Sequence, residues 1–199
     1  MSIQMRPKRW ELSAKIATDT LVVTVAEIKS SARMDASDTL LDTVIEGYIK
    51  AIQNKIERWA GLTLLKSRFI GYYDAFPVVM IINKHREISI EKIEYLDSDG
   101  ILTTVDPLIY QLQKFDNYAK IFETETRSYP LPKCWTVDSV RVTAVAGWEN
   151  KASVPDDIKS AISMSVIKML QGDCGDNLAL TKGAIELLRQ YRNDYGWLE

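Results

Sequence analysis

Between Leu41 and Trp59 the apolar side chains Leu41, Val44, Ile45, Tyr48, Ile49, Ile52, Ile56 and Trp59 recur at steps of three and four, and Gly61 follows. That spacing predicts one helix of about five turns over residues 38–60, with Ser37 or Asp38 as N-cap and Gly61 ending it in the left-handed conformation. So long an amphipathic helix needs a partner surface, which commits the chain to a packed core. Its other face carries Asp42, Glu46, Lys50, Lys55 and Arg58. Glu46 and Lys50, one turn apart, suit either a solvated face or a subunit contact.

The flanking segments are read against that helix. Residues 1–20 mix Arg6, Lys8, Arg9 and Lys15 with Trp10 and show no clean period, so they read as a flexible basic N-terminal arm. Thr24 followed by Glu27 is a capping-box signature and predicts a helix over 25–33. From 64 to 148 the pattern changes to period two with β-branched residues, in SRFIGYYDAF, VVMII, ISIEKIEYLD, LIYQLQ, AKIFE and VDSVRVTAVAG. Short strands with short connections predict antiparallel pairing, and DSDG at 97–100 predicts a hairpin turn. Pro155, Asp156 and Asp157 open a helix over 156–171, and a last helix is expected over 178–194. The fold class is α+β, with N-terminal and C-terminal helices packed together around an inserted antiparallel β region. Residues 21–199 are expected to form a single domain.

With 199 residues, 46% hydrophobic and 26% charged, a core can form without disulfides or a metal. Cys134 and Cys174 are too far apart for a CxxC pair and read as reduced thiols of a cytosolic protein. A net charge of −2 argues against a protein held to nucleic acid by a positive field over its whole surface. No apolar run has the length of a membrane span or signal peptide, which reads as intracellular and soluble, with no membrane partner.

Few residues of the chain fall into patterns that carry chemistry. His85 is the single histidine, in the polar stretch NKHRE, and most acid–base and nucleophile systems need a placed imidazole. The nine glycines form no phosphate-binding loop. GDCGDN at 172–177 lacks the ligand spacing of a calcium loop and reads as a helix terminator. Asp97 and Asp99 belong to a turn, while Glu91 and Glu94 fall on different faces of a strand. Cys134 has no evident activating base. No catalytic residue, cofactor site or metal site is assigned. Tyr72, Tyr73, Tyr129, Trp135 and Trp148 suit single-stranded nucleic acid, but their strand positions favour core packing. At the C-terminus Arg189, Tyr191, Arg192, Tyr195 and Trp197 gather the residue types enriched at interface hot spots, or else belong to a helix packed on its own domain.

The order of these segments resembles the tailed-bacteriophage head–tail connector proteins, also called head-completion or adaptor proteins. Val25, Glu27, Lys29, Ala32, Arg33 and Asp35 match that family's segment before the long helix, and Trp59, Ala60 and Gly61 its helix end. Asp74, Phe76 and Pro77 match the exit of its first strand. IEKIEYLDSDG and the tyrosine strand LIYQLQ match the middle, and VRVTAVAG followed by WENKASVPDDIKSAI matches the last strand and next helix. The resemblance implies a structural, non-enzymatic virion protein without cofactor, at the virion neck and in the host cytoplasm during assembly. It implies a ring of copies, typically twelve, docked under the portal vertex as the platform for the tail or its stopper, and compatible with a monomer in isolation. Its partners would be itself, the portal protein and a stopper or tail-completion protein, with genome DNA passing through the channel without specific binding. On that reading Arg189, Tyr191, Arg192, Tyr195 and Trp197 are expected at the portal, and Glu46, Lys50 and Arg58 at the lateral subunit contact. Another neck component, such as a stopper or tail-terminator, is the alternative, and a small enzyme a more distant one.

Overall fold

The computed structural model describes residues 4–5, 7–83, 88–115, 118–125, 127–133, 136–172 and 180–192. The chain divides into two compact units, where the sequence predicts one domain over 21–199: residues 1–16 with 66–147, and residues 17–65 with 148–199.

The second unit is helical: α1 (Val25–Ala32), α2 (Asp42–Ala60), α3 (Asp156–Leu170) and α4 (Lys182–Leu188). Its core is the stripe seen in the sequence. Ile45, Ile49, Ile52 and Ile56 of α2 are fully buried and share one cluster with Ile28 of α1, Ile158, Ile162 and Val166 of α3, and Ala184 and Leu188 of α4. Each such aliphatic side chain contributes about 1.5–3 kcal/mol relative to exposure. The capping box of α1 is formed: the Thr24 N–H donates to Glu27 Oε2 at 2.6 Å and the Glu27 N–H to Thr24 Oγ1 at 3.3 Å. The Thr24 N–H, then the Thr24 hydroxyl donating to Oε2 at 2.7 Å, hold the Glu27 carboxyl below its ordinary range. Gly61 ends α2 at φ 65°. The buried Gln53 accepts through Oε1 from the Val22 N–H at 3.1 Å, and the half-buried Asp19 accepts through Oδ2 from the Lys151 N–H at 2.9 Å.

α2 starts at Asp42, later than the predicted 38, and neither Ser37 nor Asp38 caps it. Asp35 Oδ1 accepts from the Ser37 N–H at 2.9 Å and Asp38 Oδ1 from the Leu40 N–H at 3.0 Å, so both carboxylates close turns instead. Lys29, 4% exposed, fixes the arrangement by reaching the Asp38 carbonyl and the Asp42 carboxylate. The last helix is shorter than the predicted 178–194. Thr181 caps α4 by accepting from the Ala184 N–H at 3.0 Å, and a 3-10 turn over 189–191 follows.

The first unit holds two sheets. One runs in the order β2 (Arg9–Lys15), β3 (Ser67–Tyr73), β9 (Val140–Ala146), β5 (Ile88–Leu96), β6 (Leu102–Thr104), all antiparallel. The other runs β1 (Gln4–Met5), β4 (Val79–Ile82), β8 (Ala119–Glu123), β7 (Tyr110–Lys114), antiparallel except for the β1–β4 pair. Both contribute to one core, with Met80, Ile82 and Ile121 from one sheet and Ile88, Ile93, Val140 and Val142 from the other. The DSDG turn joins β5 to β6: Asp97 Oδ1 accepts from the Asp99 and Ile101 N–H groups, and Gly100 takes φ 81°.

The stretch predicted as a flexible arm is thus β-structured from Arg9 to Lys15. Trp10 lies across Gly71 of β3, where a Cβ would meet the indole Cζ3 at 2.8 Å, so only glycine admits that ring. Two stability measurements test these packings. Ile49→Ala, which empties a fully buried site, is expected to lower the unfolding free energy by about 2–5 kcal/mol in urea titration. Gly71→Ala is expected to cost about 1–3 kcal/mol by displacing Trp10, and an unchanged urea midpoint would show that Trp10 is not seated there.

Candidate assembly surfaces

Three surfaces carry the candidate residues. On α2, Glu46 and Lys50 form an (i, i+4) ion pair at 2.6 Å, with Lys50 exposed and Glu46 half-buried. Arg58 is exposed in the last turn, where a cation complements the helix dipole. The three share one helix, as the spacing predicts, but Arg58 lies two turns beyond the pair.

Three of the five C-terminal candidates fall among the described residues. Arg189 is exposed and pairs with Glu186 at 3.2 Å. The Tyr191 hydroxyl donates to Asp157 Oδ2 at 3.4 Å beside the Gln190 amide at 2.9 Å, and the Arg192 guanidinium lies 5.5 Å from the Trp59 ring centre. Tyr191 and Arg192, both half-buried, thus make contacts within their own helical unit. Tyr195 and Trp197 lie outside the described residues.

The third surface surrounds the N-terminal strand, and the sequence reading missed it. Arg9 meets Glu11 at 2.8 Å through Nε and Asp138 at 2.8 Å through Nη1, with its guanidinium 4.2 Å from the Tyr72 ring centre. The Tyr72 hydroxyl donates to Glu11 Oε2 at 2.9 Å. Lys8 pairs with Asp74, whose Oδ1 accepts from the Asp138 N–H at 3.0 Å and whose carbonyl accepts from the Ser139 hydroxyl. The Tyr72 hydroxyl, then Arg9, hold the Glu11 carboxyl low, and Lys8, then the Asp138 N–H, do so for Asp74. Asp138 itself takes φ 58°, a left-handed conformation uncommon outside glycine. The signal was present in RWELSAK, where Trp10, Leu12 and Ala14 alternate with Arg9, Glu11, Ser13 and Lys15.

The aromatic candidates for nucleic-acid stacking that fall among the described residues are mostly core. Tyr73 is 3% exposed, Trp148 7%, and Phe76 stacks on Tyr129 at 4.4 Å between ring centres. Burial pushes the Tyr73 and Tyr129 phenols well above their ordinary range. Glu91 makes a two-bond pair with Arg68 at 2.7 and 2.8 Å, and Glu94 pairs with Lys92 at 2.7 Å. Among the described residues no group of three or more His, Cys, Asp or Glu side chains could hold a metal ion. No helix there is long and apolar enough to cross a membrane. His85, Cys134, Trp135 and Cys174 lie outside the described residues.

No protein-family model and no curated protein matches the chain. Its fold does match solved structures. A chain in the virion of a native gene transfer agent particle has TM-score 0.73 at 16% identity, covering 92% of this chain and 95% of that one. A chain in the neck of an empty such particle, computed with C6 symmetry, gives 0.69 at 16% identity over 93% and 95%. One in the neck of the native particle, computed with C12 symmetry, gives 0.64 at 17% identity over 92% and 95%. At such identities the likeness is one of fold, and it spans helices and sheets alike.

The carboxylates around β2 set a pH response with a definite sign. Their folded pKa values lie below the unfolded ones, so the stability they add is complete above the unfolded carboxylate pKa and disappears as pH falls through the folded values. Thermal unfolding between about pH 6 and pH 3 is expected to show a smaller acid loss for Glu11→Gln than for the parent chain. Salt should narrow the difference, because these groups face water.

Proposed function

We propose that this protein is a structural neck protein of a phage-like particle, and specifically the head–tail adaptor that forms a ring under the portal vertex after DNA packaging. The observation that carries the reading is the fold shared along nearly the whole chain with chains in gene transfer agent neck and virion structures. The order of motifs from Thr24 to the start of α3 agrees with it, and so does a helical half that a mainly β stopper or tail-terminator would lack. The role needs no chemistry: binding surfaces held by a rigid scaffold are sufficient.

A ring requires two different patches on each subunit, because a head-to-tail contact is heterologous. The charged face of α2 at Glu46, Lys50 and Arg58 is proposed for the lateral contact. Arg189, Tyr191, Arg192, Tyr195 and Trp197 are proposed for the portal, with Tyr191 and Arg192 also anchoring the segment to its own unit. Twelve copies would match the C12 symmetry used for one similar neck. The ring then offers its far side to a stopper or tail-completion protein and lets DNA pass without gripping it, as the net charge of −2 allows.

The test is reconstitution. Purified protein mixed with DNA-packed, portal-bearing capsids that lack it should add a ring at the vertex by electron microscopy and restore tail joining; capsids that gain neither overturn the adaptor reading. Arg189→Glu combined with Tyr195→Ala and Trp197→Ala should leave thermal unfolding unchanged while reducing capsid binding by more than about tenfold, or about 1.4 kcal/mol. Undiminished binding would remove the C-terminal segment from the portal contact.

A further inference from the structure

The outer side of α2 has a property that the fold itself does not use. Leu40, Leu41 and Val44 are 87%, 41% and 42% exposed, although Leu41 and Val44 belong to the apolar periodicity that defines the helix. One turn further along stands Gly47, exposed in the interior of a 19-residue helix, where a Cβ would meet nothing within 4 Å. Glycine there costs about 1 kcal/mol relative to alanine, and no neighbour among the described residues requires it. Val44, Gly47 and Ala51 follow one another at helical spacing, with Leu40 in the turn just before the helix, so the apolar stripe passes over a flat, side-chain-free point. The turn presenting Leu40 is fixed by the nearly buried Lys29, which ties the Asp38 carbonyl to the Asp42 carboxylate. A mobile loop would lose entropy on docking; this one is already ordered.

The charges beside the stripe have a polarity that selects its occupant. Glu46 and Lys50 flank it on one side, acid toward the N-terminus and base toward the C-terminus, and Arg58 continues the basic end. We propose that this surface binds a second copy of the same chain, α2 against α2 in antiparallel order, about a two-fold axis beside Gly47. In that register Gly47 of each copy sits at the crossing, where its missing side chain lets the helix backbones approach. Val44 meets Ala51 of the second copy, and Glu46 meets Lys50 of the second copy, twice by symmetry. Parallel pairing about a two-fold axis would put the charged flank of each copy beside the Val44 and Ala51 flank of the other, where Glu46 and Lys50 could not meet. A two-fold contact closes at two copies, so it is not the ring contact, and it uses a face proposed above for the ring. A subunit paired in this way is held out of ring assembly until it separates.

Sedimentation equilibrium of the full chain over about 10 µM to 1 mM should show a monomer–dimer equilibrium, since one helix pair buries less than the roughly 1,200 Å² of a standard interface. Gly47→Gln is the decisive variant. It should leave thermal unfolding unchanged or raise its midpoint, because nothing crowds the site and helix propensity rises, yet weaken dimerisation at least tenfold. Glu46→Lys should weaken it several-fold, and Glu46→Lys combined with Lys50→Glu should recover most of the loss. A chain that is monomeric throughout, or forms a larger species in place of a dimer, overturns the proposal. So does a dimer indifferent to Gly47→Gln, or one that the double reversal fails to restore. These outcomes concern the free protein and are separate from capsid docking, so failure here leaves the neck reading to its own test.

Discussion

The helical unit depends on one row of side chains. Ile45, Ile49, Ile52 and Ile56 are excluded from water, and the other three helices contribute to the same cluster. α1 adds one main anchor, Ile28, and α4 spans only seven residues. Neither would persist as an isolated helix, since short helices are marginal in water. The row on α2 therefore does more than stabilise one element: it is the surface on which segments from both ends of the chain become structured.

The β unit is held by a different balance. Its interior is apolar, but the N-terminal strand is an edge strand with most side chains in water, joined to β3 by its ladder, by Trp10 over Gly71 and by surface ion pairs. Exposed ion pairs are individually weak. Here they interlock, with Arg9, Glu11, Tyr72, Asp138, Asp74 and Lys8 each sharing a partner with the next, and the strand becomes definite through their sum. Charges at an edge also discourage sheet-to-sheet association with other molecules. The proposed self-contact lies instead on a helix face where apolar groups and a glycine are uncovered.

Much of the architecture was legible in the residues. The capping box at Thr24 and Glu27, the stripe of α2, the DSDG turn and the six longer strand segments from Ser67 to Ala146 all stand where the pattern placed them, because each signal lies within a few residues of chain. The N-terminal strand was not legible in the same way. Its alternation is short, its polar half is basic, and its partner β3 is some fifty residues away. Ser37 and Asp38 are the expected helix start, but the Ser37 N–H is held by Asp35 and the Asp38 carboxylate takes the nearby Leu40 N–H, each closing a turn. At the C-terminus composition left open an interface cluster or a helix packed on its own domain; Tyr191 and Arg192 contact Asp157 and Trp59 of that domain, while Arg189 faces outward.

By itself the sequence determined the fold class and the order of elements, since these follow from periodicity, caps and turn residues that act locally. It also restricted what chemistry can be assembled, with one histidine and scattered glycines. Only the tertiary structure decided that residues 9–15 complete a sheet, that the chain packs as two units, and which members of each charged or aromatic run stay outside. Those outcomes depend on contacts between residues far apart in the chain, such as Trp10 with Gly71 or Arg192 with Trp59. The strength of such contacts is set by mutual packing, which no local pattern encodes.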